Sequence, residues 1–149
     1  MTMTTLPFNR QSDLVLEEDK NCVRTQRKVI LLNLTASELV KLGQVVYRAK
    51  GTNPDAPYSK VSASGQLVTT NEFAVVFGDR LEFKESFLAP TSGFATTPAI
   101  SYTNGFGGQL ILRSTLPDAL LTAAGLNAAN IATLKLLLEN QGIFFATDL

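Results

Sequence analysis

The chain contains no histidine and only one cysteine, Cys22, and these two shortages remove most catalytic chemistry before any pattern is read. Without an imidazole there is no Ser-His-Asp or Cys-His nucleophile, no histidine metal ligand and no side chain whose ordinary pKa lies near neutrality. One thiol cannot close an internal disulfide, so the fold rests on its core rather than on cross-links. Cys22 lies beside Lys20 and Arg24 and reads as an incidental reduced thiol. Neither sign of charge is in excess, because 13 basic residues face 13 acidic ones. The broad cationic field needed for non-specific nucleic-acid or anionic-membrane binding is therefore missing.

No apolar run approaches the ~20 residues that span a bilayer. Residues 1–28 lack the apolar stretch and cleavage site of a secretory signal. The expectation is a soluble chain made in a cytoplasm. Gly105, Gly107 and Gly108 miss the dinucleotide fingerprint because Leu110 holds its sixth position, and no lysine follows as a phosphate loop requires. The carboxylates left as acid–base candidates are Glu17, Glu18 and Asp19, and Asp79 with Glu82. Acid–base work needs a buried pair whose pKa values are driven apart; three carboxylates in a row on a polar segment read as a solvated cluster. The sequence predicts no catalytic residue, no metal site and no cofactor.

What is present is apolar mass in short pieces. At 149 residues and 45% hydrophobic the chain can bury the core of one domain. Residues 1–28 stand apart as a polar, unpatterned arm with one apolar island, Leu14, Val15 and Leu16. An arm of that composition cannot fold alone and is expected to become ordered on something else.

The run KVILLNL, residues 28–34, is β-rich and too short for a helix, which predicts a strand. Thr35, with Glu38 three residues on, makes a capping box, so a short helix is predicted over residues 36–42 with Gly43 as its left-handed stop. Val45, Val46 and Tyr47 read as strand, residues 51–57 as loop, and residues 72–77 (EFAVVF) as a buried strand. Residues 80–84 alternate charge with Leu81 and Phe83, the pattern of a half-buried strand, whereas residues 89–98 read as an exposed loop. Between the β-prone runs 99–102 and 109–113, the segment TNGFGG predicts a hairpin turn. Pro117 suits the first turn of a helix ending at Gly125, Asn127 caps a second helix with Ile131, Leu134 and Leu138 on one face, and Gly142 stops it before a closing strand, Ile143 to Phe145. Asp118 and Lys135 are the only charges from 116 to 138, so this pair belongs deep in a core or at a contact between chains. The predicted fold is α+β: a β-rich body with short helices over residues 29–149, preceded by the extended arm.

Five segments, taken in order, carry a resemblance: SDLVLEEDK (12–20), GQVV (43–46), AVVF (74–77), GQLILR (108–113) and LLLENQGIF (136–144). The chain resembles the lambda-type head decoration, or cement, proteins of tailed bacteriophages. That resemblance implies a β-tulip-like body and a homotrimer seated at local three-fold positions on the outside of the virion, bound to the major capsid protein, without nucleic acid, membrane or cofactor. It also implies that the arm orders on the capsid by adding to a strand there, a role that falls on Ser12, Asp13, Leu14, Val15 and Leu16. In strand addition the main chain gives affinity and alternate side chains fill pockets, so Leu14 and Leu16 are expected to face the partner together. Replacing both by Asp is expected to abolish binding while leaving the free protein's melting unchanged. Two other readings stay open: a head-completion or tail-tube subunit forming rings through the 103–108 hairpin, and a small-ligand β-barrel using Asp79 and Glu82.

Overall fold

The alternation in β6 (Asn71–Asp79) fixes the main sheet: Phe73, Val75 and Phe77 enter one apolar cluster, Ala74 and Val76 another, and all are buried. A strand apolar on both faces has to be central. The computed structural model describes residues 14–17, 26–34, 39–79, 86–88, 96–104 and 110–146. In it β6 lies between β8 (Thr96–Asn104) and β4 (Val45–Ala49), with β2 (Gln26–Asn33) beyond β8 and β5 (Ser59–Lys60) beyond β4. Every ladder between these strands is antiparallel, and the bridge of Leu32 to Tyr58 is parallel. The sheet curls until its first and last strands meet, where Asn33 N–H donates to Tyr58 C=O at 2.7 Å and Tyr58 N–H to Leu31 C=O at 2.8 Å. The result is a small, nearly closed barrel.

Its lumen is filled by Ile30, Leu32, Val46, Ala74, Val76 and Ala99. The outward-facing set of the same strands, including Val45, Phe73, Val75, Ile100 and Tyr102, is covered by a second layer. That layer is a three-stranded sheet, β1 (Val15–Glu17), β9 (Leu110–Arg113) and β10 (Ile143–Ala146), with two helices, α1 (Thr115–Ala123) and α2 (Ala128–Glu139). β1 runs antiparallel to β9 and β10 parallel to it. The parallel pair is what requires the helical crossover between β9 and β10. Asn127 caps α2 by accepting from Asn130 N–H at 2.9 Å, and Gly142 at φ +82° ends the helix and turns the chain into β10.

The element pattern read from sequence holds for β2, β4, β6, both helices and the closing strand. Three expectations are corrected. The predicted helix over 36–42 is a strand at its visible end: β3 (Leu39–Lys41) pairs with β7 (Ser86–Leu88) in exposed-buried-exposed alternation, because Val40 must reach the lumen cluster and strand period alone delivers it. Residues 96–98, predicted as loop, open β8, whose partners on β2 override their Thr and Pro content. The runs expected to pair across 103–108 do not pair with each other, since β8 pairs with β2 and β6 while β9 pairs with β1 and β10; residues 105–109 lie outside the described residues. The predicted strand 80–84 lies outside the described residues.

Candidate functional site

The apolar island of the arm belongs to the body. Leu14 has no exposed surface and Val15 packs on the same cluster, held by the ladder of β1 on β9. Gly43 makes the room: it sits at φ +89°, and a Cβ there would lie 3.2 Å from Leu116 Cβ and 3.5 Å from Leu14 Cδ1. Burying one leucine contributes about 1.5–3 kcal/mol, which offsets part of the cost of ordering a three-residue strand. The arm boundary drawn between residues 28 and 29 also falls inside β2.

Of the five residues assigned to capsid binding, Ser12 and Asp13 lie outside the described residues, Leu16 lies within β1, and Leu14 and Val15 face the protein's own core. The expectation that Leu14 points into a partner is therefore corrected. β1 is nevertheless the outermost strand of its sheet. Its outer edge carries no strand among the described residues, and that edge is a row of main-chain donors and acceptors.

The second feature is the mouth of the barrel, a cleft of about 340 Å³ between β2 and the 53–57 loop. Arg48 organises its floor. Alternation along β4 turns Val46 and Arg48 inward, and the guanidinium is held on three sides: Nε donates to Glu72 Oε1, Nη1 donates to the Pro54 and Ala56 carbonyls at 3.0 and 2.9 Å, and its centre lies 4.4 Å from the Tyr58 ring centroid. Burial, reinforced by the Glu72 carboxylate and opposed by Arg48, pushes the Tyr58 phenol up to about 12. On the far wall the side-chain amide of Gln141 accepts from Phe73 N–H at 2.9 Å and donates to Phe73 C=O at 2.6 Å and Thr103 C=O at 2.9 Å, spanning the ends of β6 and β8. Above the lumen, the buried hydroxyls of Ser101 and Thr103, two positions apart on β8, have no hydrogen-bond partner. The mouth offers hydrogen bonding, main-chain groups and the ammonium of Lys28 on its rim.

Sequence reasoning did not single out Arg48 or Gln141. A charge two residues after inward-facing Val46 is a legible signal for Arg48; a glutamine before a stop glycine carries none. Glu17 lies in β1 and Asp79 ends β6, while Glu18, Asp19, Glu82 and Cys22 fall outside the described residues. No helix among the described residues is long and apolar enough to cross a membrane. Comparison with family models, with curated proteins and with solved structures found nothing that matches this chain.

Proposed function

We propose that this chain is a structural decoration (cement) protein of a tailed-bacteriophage head, a non-catalytic homotrimer at local three-fold positions on the outer capsid surface that braces the major capsid protein. The observation that carries the reading is β1, the stretch expected from the resemblance to perform strand addition, lying on the open edge of a sheet. The role changes in one respect. Because Leu14 is held in the core, a capsid strand adds to β1 from outside, through main-chain hydrogen bonds, and extends the sheet without removing β1 from β9.

Three such edges per trimer, engaged together, give binding far tighter than one. A ring subunit assembled through a protruding 103–108 hairpin draws no support from β8 and β9, which pair in different sheets. The test is co-sedimentation of the purified chain with expanded shells of the major capsid protein of the phage that encodes it, with native mass measurement of the free protein. Binding with a trimer mass supports the reading; a monomer that leaves the shells bare overturns it.

A further inference from the structure

β2 has an edge that is open over part of its length. Leu31 sends its C=O, and Asn33 its N–H, to Tyr58. In an antiparallel strand the two polar groups of one residue point to the same side, so odd-numbered residues of β2 face away from β8. Pro98, opposite Leu31, fits this parity, because its nitrogen points away from β2 and past the last β6–β8 pair, Asp79 with Ala99. The main-chain groups of Val29 therefore face outward, beside a side chain that is 60% exposed, and no backbone bond within the described residues occupies them.

Arg48 holds the Pro54 and Ala56 carbonyls of the loop before Tyr58, and a cleft of about 340 Å³ lies between that loop and β2. Lys28 lines that cleft on the face of Ser101, its cross-strand partner, and Thr103 is the diagonal neighbour. Arg48 and Glu72 neutralise each other and Asp55 stands exposed on the turn, while Lys28 has no ion-pair partner among the described residues. The Thr103 hydroxyl, buried without a partner in the same cleft as the Lys28 ammonium, is what an incoming acceptor group completes.

We infer that the outer edge of β2 and the barrel mouth are a docking site for an extended segment of the capsid partner that bears a carboxylate side chain. The segment pairs with Val29, and its carboxylate enters the mouth to take Lys28 and the Thr103 hydroxyl. This rests on the decoration reading and supplies it with a specificity pocket.

Val29→Pro removes the outward N–H and no ladder bond, and Lys28→Glu reverses the charge at the rim. Each is compared with the unaltered chain in binding to expanded shells of the encoding phage, alongside thermal melting. Both variants are expected to melt like the parent and bind at least about tenfold more weakly, the scale of one lost main-chain or charge-assisted hydrogen bond. Parent binding with Val29→Pro undiminished overturns the docking edge and leaves the decoration reading standing; Lys28→Glu undiminished overturns the carboxylate. A parent chain that does not bind overturns both readings.

Discussion

Gln141 brackets Phe73 as a neighbouring strand would: its side-chain oxygen takes the Phe73 N–H at 2.9 Å and its nitrogen gives a proton to the Phe73 C=O at 2.6 Å. The same nitrogen donates to Thr103 C=O. β6 and β8 part after Val75 and Tyr102, the first pair of their ladder, and one amide from the turn after α2 closes the gap. Gln141→Ala leaves these main-chain groups half-buried without partners, each costing about 1 kcal/mol. Urea denaturation is expected to show a loss of about 2–3 kcal/mol. Gln141→Glu, which keeps the size but lacks the donor, is expected to lose a similar amount.

Leu14 is a folding residue. Leu14→Ala is expected to lower stability by about 2–5 kcal/mol, the range for a fully buried leucine. Leu14→Asp therefore does not separate binding from folding, as the sequence alone suggested it would; the acid is expected to unfold the body. Chemical denaturation of the two variants side by side checks both.

Gly43→Ala is expected to destabilise on two counts, a left-handed backbone at φ +89° and a new methyl 3.2 Å from Leu116 Cβ. The expected loss is about 1–3 kcal/mol. It falls in the seat of Leu14, so in a double-mutant cycle with Leu14→Ala the two losses add to less than their sum.

Tyr58 gives the fold an alkaline limit. Its phenol rises from 10.0 to about 12 on folding, so the folded state holds the proton more tightly than the unfolded chain. The stabilisation is complete below pH 10 and is lost as the pH climbs toward 12; the full change is about 2–3 kcal/mol. Denaturation midpoints between pH 9 and 12 are expected to fall more steeply for the parent than for Tyr58→Phe.

The parts of the fold legible in the sequence are those where one period dominates over a whole element. The two-faced apolar run of β6, the Asn127 cap and the glycine stops are of this kind, because each needs only its own neighbours. β3 was hidden because three residues carry too little pattern to outweigh a capping box, and its partner β7 is distant in sequence. That β8 and β9 lie in different sheets depends on which strands compete for each, which no local signal encodes. The arm illustrates both sides: composition singled out Leu14, Val15 and Leu16 as apolar among polar residues, but only the fold shows that their ordering surface is the chain's own β9.

The proposed attachment is tested most directly by an electron density map of expanded tailed-phage heads incubated with this protein. The account predicts three copies around each local three-fold position, with a strand of the major capsid protein paired to the outer edge of β1 while Leu14 stays in its seat against Gly43. Heads lacking this chain, or a bound copy whose β1 edge faces solvent, would contradict it.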